Sequence, residues 1–209
     1  MVLKSAAVVG CDLDGVIGDI VQQLMSFSRR EHRVRLTRKQ IRSENIETCT
    51  PIGREQLHQF FQDREFFRSL PVIPLARRSL SELQAEGCSI SIITDRFWYD
   101  GIHDDTTDWL VRHRIPFESV VFARKAEKRD VAQSLNVQWF IEDQLSNARL
   151  LAPVCRVLLL DRPYNQGETP DHVTRIKDLQ QAVAIITESI GGKSFLRLPM
   201  SALRRKSAC

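Results

Sequence analysis

The chain has 209 residues, 43% of them hydrophobic, enough for one domain with a full core or one domain carrying an inserted subdomain. Its net charge of +4 is modest and spread along the chain, which gives no argument for nucleic acid and is compatible with an anionic substrate, so a small phosphorylated partner and no nucleic-acid polymer is expected. No apolar run approaches the roughly 18 residues needed to span a bilayer, and Asp12 and Asp14 interrupt the short apolar N-terminal stretch, so neither a membrane span nor a signal peptide is expected.

Taken in chain order, apolar runs of strand length recur, each followed by a helical pattern. The predicted strands are Ala6–Cys11, Ser89–Ile93, Ser119–Phe122, Gln138–Ile141 and Arg156–Leu160. The predicted helices include Ala76–Glu86, Thr106–His113, Glu127–Leu135, Leu145–Ala152 and Lys177–Ser189, with Gly87 stopping the first and Pro116 following the second. Such alternation specifies an α/β fold, a Rossmann-like parallel sheet covered by helices on both faces. One interval breaks it. From Asp19 to Pro74 no strand is visible, and roughly 55 polar, helix-prone residues are too many for a crossover loop. This interval reads as a small helical cap inserted after the first strand, over the carboxyl ends of the sheet. Its Phe60, Phe61, Phe66 and Phe67 are expected mainly in the subdomain's own core, with one or two facing a substrate. The core then comprises 1–18 and 75–190, and 191–209 forms a basic tail with a hinge at Gly191-Gly192 and a terminus at Arg204-Arg205-Lys206. The tail leaves a homodimer contact open as an expectation.

The stretch VVGCDLDGV at residues 8–16 carries the chemistry. Side chains two apart on a strand point the same way, so Asp12 and Asp14 project together from a buried strand end. Two adjacent carboxylates resist ionising together. A divalent cation removes the conflict, and Mg²⁺ prefers carboxylate oxygens. The pair therefore suggests a metal-assisted site with a carboxylate nucleophile. A calcium loop is excluded, because Val16 stands where the EF-hand pattern needs Asp or Asn. A plain turn does not need the apolar run in front of it. Gly191-Gly192-Lys193-Ser194 lacks the upstream glycine of a P-loop and follows a helix.

In an open parallel sheet, ligands sit beyond the carboxyl ends of the strands. The later strands end in Thr94-Asp95-Arg96 and Glu142-Asp143, and Lys125 and Lys128 lie near the start of the helix before the last pair. The order of acidic pair, hydroxyl, lysine and second acidic pair resembles that of the haloacid dehalogenase (HAD) superfamily of phosphohydrolases. The resemblance covers about residues 5–185. Within the superfamily the chain looks most like the 5'-nucleotidase and 5'(3')-deoxyribonucleotidase branch, through DLDGVIGDI, FF-x-x-LPVIP-x-A, IITDR, TTDWL, FIEDQLSNA and DRPYN at Asp161–Asn165.

The resemblance implies roles. Asp12 is the nucleophile that forms an aspartyl-phosphate. Asp14 is the general acid and then the base, contacting the metal through its main-chain carbonyl. Thr94 binds a phosphoryl oxygen, and a lysine neutralises developing charge. Mg²⁺ is the implied cofactor, bridging Asp12, the phosphate and the Glu142-Asp143 pair. Lys128 fits the lysine's placement better than Lys125, which is then a substrate-binding or solvated residue. Either Glu142 or Asp143 serves as the main metal ligand. Arg96 orients the substrate phosphate or, with Asp95, forms only a strand-end turn. Asp19 reads as a helix N-terminal residue, and Cys11 as a packing group.

The implied activity is a Mg²⁺-dependent phosphomonoesterase acting on a nucleoside (deoxy)monophosphate. A sugar phosphatase and a non-catalytic HAD-like binding protein are the alternatives. Dehalogenation is disfavoured because it does not use the second carboxylate, Asp14. The five cysteines are scattered, odd in number and without zinc spacing, which fits free thiols and a cytoplasmic setting.

Overall fold

The computed structural model describes residues 7–195. Six strands form one sheet in the order β3-β2-β1-β4-β5-β6, and every pairing is parallel. They are β1 (Val8–Cys11), β2 (Ser89–Thr94), β3 (Ser119–Phe122), β4 (Trp139–Glu142), β5 (Arg156–Leu160) and β6 (Val173–Ile176). The five predicted strands are present within a residue or two. β6 escapes the sequence reading because VTRI is four residues long, polar at two of them, and lies at the sheet edge with only Ile176 buried.

The strand order reverses between β1 and β4, the place where an open parallel sheet forms its ligand crevice. The register pairs Cys11 with Ile141, so Asp12 and Glu142 leave the sheet side by side. The Asp12 N–H donates to the Ile141 carbonyl at 3.0 Å, extending the ladder one residue past β1. β1, β2, β4 and β5 are almost wholly buried, as a sheet covered on both faces requires, with Ser89, Ser91 and Thr94 the polar residues of β2.

Helices α1 (Ile20–His32), α2 (Arg54–Gln62), α3 (Arg64–Arg68) and α4 (Ala76–Ala85) lie between β1 and β2, with 3-10 turns at Arg38–Gln40 and Ile46–Thr48. Asp19 caps α1, its side chain accepting from the Gln22 N–H. The first three helices and their loops build a hydrophobic cluster of their own around Phe27, which meets Phe60 and Phe66 edge-on with centroids 5.9 and 4.9 Å apart. Phe60, Phe66 and Phe67 are buried in that cluster, as expected of subdomain core; Phe61 is only half buried. The chain enters and leaves this region through one paired crossing. The Asp19 N–H donates to the Pro71 carbonyl and the Ile73 N–H to the Ile17 carbonyl, both at 2.7 Å.

Beyond β2 follow α5 (Ile102–Arg112), α6 (Lys128–Ser134), α7 (Leu145–Leu151) and α8 (Leu179–Phe195). Trp109 of α5 is fully buried and donates from Nε1 to the Leu70 carbonyl at 2.9 Å, tying the returning chain to the core. α8 packs through Leu179, Ala182 and Ile186 and continues through Gly191 and Gly192. The hinge predicted there is thus helix, since two glycines weaken a helix by only about 1 kcal/mol each and packing upstream outweighs them. The basic terminus at 204–206 lies outside the described residues. No helix among those described is long and apolar enough to cross a membrane.

Phe66 is completely buried and touches four aromatic rings. Phe66→Ala is expected to destabilise the protein by about 3–5 kcal/mol in urea unfolding. A loss below about 1 kcal/mol would mean that this cluster does not fold cooperatively with the sheet.

Candidate active site

Four charged side chains converge where β1 and β4 end, and all are nearly inaccessible: Asp12 (5% exposed), Lys128 (2%), Glu142 (0%) and Asp143 (2%). Asp12 Oδ1 accepts from the Leu13 N–H at 2.8 Å, and Oδ2 lies 2.9 Å from Lys128 Nζ. Lys128 opens α6, which aims its ammonium across the strand ends, and the same Nζ lies 3.4 Å from Glu142 Oε2. Lys125 is exposed; its Nζ donates instead to Ser146 Oγ at 2.5 Å. Of the two lysines, the structure therefore sets Lys128 against the first aspartate.

The second acidic pair divides its work. Glu142 is fully engaged by the protein. Its Oε1 accepts from the Asp143 and Gln144 N–H groups at 3.0 and 3.1 Å, and its Oε2 accepts from Lys128 Nζ and Asn147 Nδ2. Asp143 is not. Its Oδ2 accepts from the Tyr164 hydroxyl, while Oδ1 is buried with no partner. Gly15 makes room for this carboxylate, because a Cβ there would lie 1.9 Å from Asp143 Oδ2, and its φ of +83° also favours glycine.

Oxygens of Asp12, Glu142 and Asp143 lie within 4.8 Å of one another. Three carboxylates face one ammonium, and one carboxylate oxygen is orphaned in a buried place. Both facts fit a hard divalent cation bound by oxygen, with Asp12 and Asp143 offering the freest atoms. Without such charge, burial chiefly, then repulsion from Glu142, push Asp12 up to about 8 despite Lys128. Burial and the neighbouring Asp12 push Asp143 up to about 7. Burial raises Glu142 as well, with Lys128 opposing. Burial works against the Lys128 charge, but Asp12 and Glu142 outweigh it and hold the ammonium protonated.

Asp14 stands apart. Its carboxylate is forked by Arg96, Nη2 at 2.6 Å and Nε at 2.9 Å. Arg96 is itself fully buried, over the Phe67 ring at 4.6 Å and within 3.2 Å of Thr106 Oγ1. Arg96 therefore holds Asp14 and does not line the cavity, and among the described residues the Asp14 side chain is outside the metal-competent cluster. Thr94, the last residue of β2, is buried at the cavity floor. Asp95 also lines the cavity and accepts from the Lys125 N–H at 3.0 Å.

A cavity of about 720 Å³ opens over this floor. Asp12, Asp14, Thr94, Lys128 and Asp143 line its base, and the residues between β1 and β2 supply much of the opposite wall, including Ile41, Glu44, Leu57, His58 and Phe61. Phe61 and Trp98 meet across it with centroids 4.6 Å apart. Glu44 reaches the start of α7, accepting from the Ser146 N–H at 3.1 Å and from its hydroxyl. Tyr164, Asn147, Glu44 and Trp98 were not singled out by sequence reasoning. Tyr164 and Asn147 fall inside DRPYN and FIEDQLSNA, whose composition gave the only signal; nothing local marks Glu44 or Trp98.

Known proteins share this architecture. A HAD phosphatase from Thermococcus onnurineus superposes with a TM-score of 0.55 at 17% identity, over 86% of this chain and 97% of that one. The L-2-haloacid dehalogenase of Xanthobacter autotrophicus gives a TM-score of 0.59 at 13% identity, over 86% and 98%. In sequence, a protein of Chlorobaculum tepidum named as a candidate 5'(3')-deoxyribonucleotidase is 31% identical over 157 residues, 71% of this chain and 75% of that protein. The family model described as "5' nucleotidase, deoxy (Pyrimidine), cytosolic type C protein" matches residues 6–191. With this fold and these relatives, the chain is a phosphatase of the haloacid dehalogenase superfamily. Within it, the chain belongs to that 5'-nucleotidase family.

Cation binding must displace protons from Asp12 and Asp143, whose pKa values near 8 and 7 lie well above those of free carboxyls. Affinity for Mg²⁺ or Mn²⁺ is expected to rise with pH from about 5.5 and to level off above about 8, with proton release on binding below that point. Calorimetric titration in buffers of different ionisation enthalpy reads both. A pH-independent affinity across that range would contradict the electrostatic account.

Proposed function

We propose that this protein is a Mg²⁺-dependent phosphomonoesterase that hydrolyses nucleoside (deoxy)monophosphates through an aspartyl-phosphate on Asp12. The observation that carries the reading is the Asp12 carboxylate at the base of a deep cavity, paired with Lys128 at 2.9 Å beside a cation-ready acidic cluster. The family description and the candidate deoxyribonucleotidase support the nucleotide as substrate. A cavity of about 720 Å³ with an acidic and basic floor and aromatic walls suits a nucleoside carrying one phosphate.

In the first half-reaction an Asp12 oxygen attacks phosphorus and the bond from phosphorus to the ester oxygen breaks. Asp14 gives its proton to that leaving oxygen, exchanging its pairing with Arg96 for the substrate. In the second, Asp14 takes a proton from water, the water oxygen attacks phosphorus, and the acyl phosphate bond breaks to release phosphate and restore Asp12. Thr94 donates to a phosphoryl oxygen, and Lys128 offsets the negative charge that both steps concentrate there. Asp12 and Asp143, with Glu142 behind them and the Asp14 main-chain carbonyl nearby, would hold Mg²⁺. The cation supplies charge neutralisation and orients the phosphate.

The residues between β1 and β2 act as the cap that excludes water from this chemistry and recognises the nucleoside. The four described cysteines are free thiols, which supports a cytoplasmic setting together with the cytosolic-type family description.

Asp12→Asn is expected to abolish turnover while leaving the circular dichroism spectrum and melting profile folded. Ordinary phosphatase rates in that variant would end the nucleophile assignment. On a panel of phosphorylated metabolites, the wild type is expected to turn over nucleoside 5'-monophosphates fastest; equal or better rates on sugar phosphates would redirect the substrate assignment.

A further inference from the structure

Tyr164 joins two parts of the molecule that the proposed chemistry treats separately. Its hydroxyl donates to Asp143 Oδ2 at 2.5 Å. Its ring packs against the hydrophobic cluster built by α1, α2 and α3, and also lines the cavity.

The loop that carries Tyr164 is held on every side. Asn165 Nδ2 donates to the carbonyls of both Asp143 and Leu160 at 2.6 Å. Arg162 Nη2 donates to the Gly15 carbonyl at 3.1 Å, and Arg175 Nη1 and Nη2 bond Asn165 Oδ1 and its carbonyl at 2.8 and 2.5 Å. Gly15 closes the other face of the Asp143 carboxylate, leaving no space for even a methyl group. Asp143 is thus fixed by its backbone, by one face and by one oxygen, and the oxygen left over is the buried, unpartnered Oδ1.

Resting on the metal-dependent reading above, we infer that Tyr164 is the positioning residue of the cation site. Its hydroxyl locks Asp143 so that Oδ1 is presented, and its ring transmits the packing of the inserted helices to that carboxylate. A hydrogen bond to the non-ligating oxygen of a metal carboxylate fixes its rotamer before the ion arrives, and loss of such a bond typically lowers affinity about 10- to 100-fold. No atom of Tyr164 touches substrate phosphorus in this scheme.

Tyr164→Phe separates the two contributions, since it keeps the ring and removes only the hydroxyl. Mn²⁺ binding by calorimetry and electron paramagnetic resonance, with no substrate present, is expected to weaken by at least about tenfold. The rate at saturating Mg²⁺ should recover most of its wild-type kcat, with the deficit confined to the metal concentration needed. Tyr164→Ala, which also removes the ring, should weaken Mn²⁺ binding further. Unchanged Mn²⁺ affinity in Tyr164→Phe with a raised KM for nucleotide would overturn the inference and make Tyr164 a cavity-wall residue. Wild-type protein that binds neither Mn²⁺ nor Mg²⁺ would overturn the metal-dependent reading itself, a result distinguishable because it needs no variant.

Discussion

Three carboxylates buried against a single ammonium are the constraint on which the rest of this molecule depends. Desolvating an ion costs several kcal/mol even after relaxation, and Lys128 can offset one of the three charges at close range. The fold answers by surrounding the acids with donors. Two backbone N–H groups and Asn147 serve Glu142, the Leu13 N–H serves Asp12, and Tyr164 serves Asp143. What remains uncompensated is about the charge of one divalent cation. The elements that converge here, the ends of β1 and β4 and the first turn of α6, have their positions set by this arrangement.

The inserted helices gain their significance from the same centre. They share an aromatic core that also takes in Ile102 of α5. They meet the rest of the molecule through Glu44 at the start of α7, the bidentate pair of Arg64 with Asp105 on α5, and the backbone crossing at 17–19 and 71–73. The Glu44 contact lies beside Lys125 among the residues that line the cavity.

Much of this was legible in the sequence, and for definite reasons. Strands buried on both faces are nearly uniform apolar runs, so five of them announced themselves, and strand-end acids are chemically conspicuous. β6 did not, because VTRI is polar at two of its four positions and buries only Ile176. The division of labour between Glu142 and Asp143 was open in sequence because it depends on which oxygens the backbone and Asn147 already occupy. Arg96 sits beside Thr94 in the chain and invited a phosphate-binding role; its burial under Phe67 and its fork on Asp14 are tertiary facts. Contacts such as Tyr164 to Asp143 or Glu44 to Ser146 span residues far apart in the chain, and no local pattern encodes them.

The fork of Arg96 on Asp14 also resolves a conflict in the opening pair. Two aspartates one residue apart on a strand end should share a field, and a fourth carboxylate added to Asp12, Glu142 and Asp143 would deepen the uncompensated charge. A residue with a planar, permanently charged fork removes Asp14 from that sum at its own end of the crevice. A lysine at position 96 would offer a point charge without the second hydrogen bond, and would leave the Phe67 face without its flat partner. The same pairing holds the Asp14 side chain at the cavity base and outside the cation-competent cluster. Two chemically identical side chains thus acquire different surroundings from the cations placed opposite them, Lys128 for one and Arg96 for the other.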